Sequence, residues 1–176
     1  DLVVEVEGAQ WFWTVRYPEA GVTSNGELVL PARSRIRFEV TSKDVLHSFW
    51  VPAFRSKMDA VPGRTTVILV STEQPGTSED EEGLRLQCAE MCGVGHATMR
   101  IPVRVLEAGA FETWIDEEAA AAAEAATDEP ACAPEGSELG IAADGLAFDR
   151  HCLAVTAGED FVITFFVSGP GATTLP

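Results

Sequence analysis

Two thiols, an imidazole and the Met99 thioether lie within one short run of this chain, Cys88-Ala89-Glu90-Met91-Cys92-Gly93-Val94-Gly95-His96-Ala97-Thr98-Met99. All four are soft or borderline ligands that suit copper. A second histidine stands upstream, in Asp44-Val45-Leu46-His47-Ser48-Phe49-Trp50-Val51-Pro52. A C-x-x-x-C pair could also form a disulfide or half of a structural zinc site, although zinc fingers usually show C-x-x-C or C-x-x-x-x-C pairs with a matching second half. Met99 argues against zinc, because a thioether is a poor zinc ligand and a good copper one. A mononuclear copper site of the blue type needs one Cys, two His and an axial Met. The second Cys is surplus to that site and is what a thiolate-bridged pair of coppers requires. A fold that brings His47 to the Cys88–Met99 loop could therefore hold two copper ions on two shared thiolates, an arrangement suited to electron transfer.

Such ligands need a rigid scaffold, and the flanking sequence reads as strands. Leu2–Val6, Gly26–Leu30, Arg35–Val40, Thr65–Val70 and Ile101–Leu106 are short β-rich runs separated by Gly, Pro, Asn and Ser. Their spacing predicts an all-β Greek-key sandwich or barrel with the ligands on loops at one end. Leu84-Arg85-Leu86 is the strand candidate that leads into the cysteine loop. The segment Trp11-Phe12-Trp13 also reads as strand, which would place Trp11 and Trp13 on one face and Phe12 on the other. From Phe111 the pattern turns helical. Glu117 to Ala126 is almost wholly Glu and Ala, a strong helix former with no large apolar face.

Several motifs together resemble the CuA domain of cytochrome c oxidase subunit II. They are Gln10-Trp11-Phe12-Trp13, Tyr17-Pro18, Leu30-Pro31, Thr41 to Phe49, Lys57 to Arg64 and Gln87 to Gly93, in that order. The resemblance covers residues 1–116 and implies a cupredoxin-like fold. It also implies a ligand set. His47 and Met99 would hold one copper, His96 and the backbone carbonyl of Glu90 the other, and Cys88 and Cys92 would bridge both. The Glu90 carboxylate would face a magnesium ion at the boundary with subunit I, whose chain supplies the other ligands. Trp11 matches the exposed tryptophan through which cytochrome c delivers its electron. Phe12 stands where a tyrosine is common and is a candidate for the path to copper. Asp44 matches a carboxylate near the docking face, although turn chemistry beside Thr41 and Ser42 would also explain it. One departure is visible: the family usually has an aromatic residue and a glycine before Gln-Cys, whereas this chain has Arg85-Leu86.

Residues 117–134 read as a helix tail and linker, and residues 135–176 as an incomplete unit similar to the opening strands of a second cupredoxin. Cys132 and Cys152 are expected to pair in an oxidising compartment, with two unpaired thiols as the alternative. His151 is expected to be a surface residue.

The chain carries 28 acidic against 12 basic residues, a formal net charge of −16. Such a surface repels nucleic acid and attracts a basic carrier such as cytochrome c. No stretch has the length of apolar sequence a membrane-spanning helix needs, and no signal peptide is seen. The resemblance then implies a soluble fragment whose membrane anchor would precede Asp1. Its complex would sit at the outer face, periplasmic or extracellular, of a bacterial plasma membrane. It would accept electrons one at a time and pass them to haem in subunit I. Three other readings compete. The related copper domain of nitrous oxide reductase lacks the oxidase-like Trp11, Asp44, Lys57 and Glu90 blocks. A quinol-oxidase subunit would have lost the ligands, and a disulfide-stapled binding module leaves His47, His96 and Met99 without a purpose.

Overall fold

The computed structural model describes residues 1–128, 138–144, 147–148, 160 and 162–168. The chain divides into two units, Asp1–Ala125 and Ala126–Pro176.

In the first unit, alternating apolar residues build two facing sheets. One contains β1 (Leu2–Ala9), β2 (Phe12–Tyr17), β3 (Val22–Ser24), β5 (Arg35–Ser42) and β8 (Thr66–Ser71) in the order β3-β2-β1-β5-β8. The other contains β4 (Leu28–Pro31), β6 (His47–Val51), β7 (Ser56–Ala60), β10 (Arg85–Cys88) and β11 (Arg100–Leu106) in the order β4-β11-β10-β6-β7, with β9 (Gly76–Thr77) beside β11. The β1–β5 and β4–β11 pairs are parallel and the other pairs are antiparallel. This is the cupredoxin-like β-sandwich expected from the sequence.

Alternation is clearest in β5, where Ile36, Phe38 and Val40 are fully buried and the intervening residues are not. With Val4 and Val6 they face Leu28, Leu30, Phe49, Leu86 and Val103 across the core. Phe38 and Phe49 meet between the sheets with ring centroids 4.8 Å apart. Tyr17 fastens one sheet to the other. Its hydroxyl donates to the Val29 carbonyl oxygen at 2.8 Å and accepts from the Val29 N–H at 2.9 Å. Burial and the acidic Glu27 nearby push the Tyr17 pKa up, more than the Val29 hydrogen bond lowers it. The helix α1 (Ala108–Asp128) packs Phe111 and Trp114 against the Tyr17 ring. It begins before Phe111 and continues through the Glu/Ala run as one element.

The strand prediction for Trp11 is corrected. The β1–β2 hairpin pairs Ala9 with Phe12, so Gln10 and Trp11 form its two-residue tip. Trp13 is fully buried, whereas Trp11 and Phe12 are both exposed.

In the second unit, β12 (Glu138–Asp144) pairs antiparallel with β13 (Ala147–Phe148) and parallel with β14 (Val162–Ser168). That repeats the pairing of β1 with β2 and β5. Cys132, His151 and Cys152 lie outside the described residues.

Candidate metal centre

His47 opens β6 and Cys88 closes β10, two adjacent antiparallel strands, so the sandwich itself brings the upstream histidine to the cysteine loop. Both ligands lie at strand ends rather than on free loops. The loop is closed by hydrogen bonds from Cys88 N–H to the Met99 carbonyl (3.0 Å) and from Ala89 N–H to the Ser48 carbonyl (2.9 Å). Gly93 turns the chain at φ 116°, a conformation that side chains oppose. A single 3-10 turn over His96–Thr98 then returns Met99 to the interior.

The sulfur atoms of Cys88 and Cys92 lie 3.7 Å apart and are not joined. Around them are His47 Nδ1, 3.8 Å from Cys88 Sγ; His96 Nδ1, 3.7 Å from Cys92 Sγ; and Met99 Sδ, 3.9 Å from Cys92 Sγ. The Glu90 carbonyl oxygen is 3.1 Å from Cys88 Sγ. The donor atoms of His47, Cys88 and Cys92 all fall within 4.8 Å of one another. Every residue predicted as a copper ligand is thus part of one cluster. Two thiols, two imidazoles, a thioether and a carbonyl form a donor set that fits copper, and the thioether and carbonyl are surplus to a four-coordinate zinc site. Burial, followed by the neighbouring Cys88 thiol, pushes the Cys92 thiol up to about 11, so a metal must displace its proton to bind the thiolate.

The Asp44 carboxylate organises the other side of His47. Its Oδ1 lies 2.8 Å from His47 Nε2, its Oδ2 accepts from Gln10 N–H at 2.7 Å, and Val45 N–H donates to Oδ1 at 2.6 Å. Burial opposes the charge, but the Gln10 N–H, the His47 ring and the Val45 N–H more than offset it and hold the carboxyl below its ordinary range. A carboxylate on Nε2 places the imidazole proton there and leaves the Nδ1 lone pair toward the thiols. Gly8 makes room for this arrangement, since a Cβ there would come within 3.0 Å of the Trp13 ring and 3.1 Å of the His47 ring.

Trp11 lies over the cysteine loop. Its Nε1 donates to the Cys92 carbonyl oxygen at 3.1 Å, and the same oxygen accepts from Gln10 Nε2 at 2.7 Å. A Cβ at Gly95 would stand 2.4 Å from the indole, so the glycine is required for the ring to seat. Phe12 adjoins this tip and is half exposed. Trp50, Lys57, Gln87, Cys88, Ala89 and His96 line an open cleft of about 540 Å³ beside the thiols. Sequence reasoning gave Gln10 no role and placed Asp44 near the docking face or in a turn, not on His47. The available signals were the position of Asp44 three residues before His47 and the Gly-Val-Gly spacing opposite Gln10-Trp11.

A cupredoxin-like sandwich with a buried cysteine pair ringed by two histidines and a methionine has the donor arrangement of a metal-binding cupredoxin-like domain. Residues 21–106 match the family described as "Cytochrome C oxidase subunit II, periplasmic domain". Cytochrome c oxidase subunit 2 of Thermostichus vulcanus is 43% identical over 114 residues, 65% of this chain and 32% of that protein. The crystal structure of the periplasmic domain of subunit II of cytochrome oxidase from Bradyrhizobium japonicum superposes with a TM-score of 0.61 at 32% identity, covering 67% of this chain and 93% of that one. A mixed disulfide between a thioredoxin-like protein and subunit II of cytochrome c oxidase matches with a TM-score of 0.60 at 31% identity, covering 69% and 92%. This chain belongs to the cytochrome c oxidase subunit II family. It spans about a third to just over half of the length of the curated relatives it matches. Among the described residues, no helix is long and apolar enough to cross a membrane.

Proposed function

We propose that this chain is the electron-accepting CuA module of a haem–copper terminal oxidase. The observation that carries the reading is the pair of buried thiols 3.7 Å apart, with imidazole, thioether and carbonyl donors on both sides. His47 and Met99 would hold one copper, His96 and the Glu90 carbonyl the other, with Cys88 and Cys92 shared. Copper bound there supplies one-electron redox chemistry spread over two metals. The protein's part is to keep every donor in place in both redox states, through Asp44 on His47, the Met99 carbonyl on Cys88 N–H and the hairpin tip on Cys92. The Glu90 carboxylate would face a magnesium ion completed by subunit I.

Trp11 would receive the electron from cytochrome c or a similar basic carrier, with Phe12 beside the path, and haem in subunit I would be the destination. Exposed apolar residues around the centre support docking there: Trp11, Phe12, Val45, Leu46, Met91 and Val94. The family assignment supports a place on the outer side of a bacterial membrane complex. The solved thioredoxin-like mixed disulfide supports a thiol reductant as a maturation partner that keeps the pair open for metal. Residues 1–116 would form the copper module, 117–134 a helix and linker, and 135–176 a partial cupredoxin-like unit.

Copper titration of the reduced chain tests the reading. Wild type is expected to take up about two coppers and to be reduced by a basic c-type cytochrome, while Cys88→Ser loses the bridged centre. A Cys88→Ser chain with the wild-type stoichiometry and spectrum would refute the bridging role.

A further inference from the structure

We propose that Gln10 is a positioning residue for electron uptake, holding the Trp11 indole and the two ligand segments in one hydrogen-bonded frame. The inference rests on the reading that electrons arrive at Trp11, and it concerns a residue to which that reading assigns nothing.

Gln10 makes two contacts across large sequence separations. Its backbone N–H reaches Asp44, the group that holds His47, and its side-chain amide reaches the Cys92 carbonyl at 2.7 Å. Trp11 donates to that same carbonyl oxygen at 3.1 Å. A carbonyl has two lone pairs and can accept both. At an exposed hairpin tip, a single indole hydrogen bond competes with water and holds the ring only weakly. The adjacent Gln10 amide supplies a second, shorter bond to the same atom and fixes the tip. The loop is shaped to receive both groups. A Cβ at Gly93 would lie 3.1 Å from Gln10 Nε2 and 3.2 Å from the indole, and one at Gly95 would overlap the ring. The seated indole is then linked through Nε1–H and the Cys92 carbonyl, Cα and Cβ to the Cys92 sulfur. The step itself moves one electron, lost by a ferrous donor haem and gained by the oxidised metal pair, with no bond made or broken.

Gln10→Met tests the inference, since it keeps the side-chain length and the backbone N–H to Asp44 and replaces the amide that bonds the Cys92 carbonyl. The copper-loaded chain is mixed with a reduced basic c-type cytochrome as the probe, and reduction is followed over a range of cytochrome concentrations. The saturating rate should fall about fivefold, the factor one hydrogen bond is worth. Half-saturation, copper content and visible spectrum should stay at wild-type values. If Trp11→Phe slows uptake but Gln10→Met does not, the inference fails and the Trp11 reading stands. If Trp11→Phe has no effect, the Trp11 reading fails and the inference with it. Copper loss or an altered spectrum in both Gln10→Met and Gln10→Ala would also overturn it, by making Gln10 a structural support of the ligand loop.

Discussion

Asp44 fixes which ring nitrogen of His47 is free. Its carboxylate takes Nε2, so Nδ1 faces Cys88 with its lone pair available. Asp44→Ala should weaken copper affinity by about ten- to a hundredfold, the usual effect of removing such a support, measured by competition with a chelator; unchanged affinity would show that the buried strand end alone orients the ring. The ligands were legible in the sequence because five side chains of unusual softness fall in two short segments. The role of Asp44 was not. A carboxylate three residues before a histidine is also an ordinary turn former, and only the fold shows that its two oxygens divide between the His47 ring and the Gln10 backbone.

At the scale of elements, the hairpin tip and the cysteine loop are shaped to each other. Gly95→Ala puts a methyl group into the indole, so Trp11 must leave its seat. Copper should remain bound while reduction by a basic cytochrome slows, and a chain with wild-type kinetics would show that Trp11 need not be seated. Tyr17 is the corresponding fastener in the scaffold. Tyr17→Phe leaves the Val29 N–H and carbonyl without their partner and should cost about 1–3 kcal/mol in denaturant unfolding. Because the folded-state pKa of Tyr17 is raised, its stabilising contribution is complete below the ordinary tyrosine value near about 10 and falls as pH rises beyond it. The gap between wild type and Tyr17→Phe should therefore narrow in strong alkali, and a constant gap would contradict the shift. Strands with clean alternation, such as β5, were readable in advance. β7 was not, because Ser56, Lys57 and Asp59 are exposed and leave no apolar rhythm, and β6 carries consecutive buried residues where a half-exposed strand would alternate. The Gln10–Trp11 turn was hidden because Trp11-Phe12-Trp13 has the composition of a strand.

For the whole molecule, the net charge of −16 and the apolar rim around Trp11 predict how a carrier arrives. Reduction by a basic cytochrome should slow by about tenfold or more between low and high salt, as screening removes the long-range attraction. A rate independent of ionic strength would remove charge steering and leave apolar docking alone. The sequence showed the sign of this field, since charge is additive along a chain. It did not show that Val45, Leu46, Met91 and Val94 are exposed, because apolar residues beside buried ligands read equally well as core.

An electron paramagnetic resonance spectrum of the copper-loaded chain, with copper counted per protein, tests the bridged centre most directly. One unpaired electron shared by two thiolate-bridged coppers gives a seven-line hyperfine pattern at about two coppers per chain. A four-line pattern from a single copper would contradict the shared-thiolate arrangement of Cys88 and Cys92.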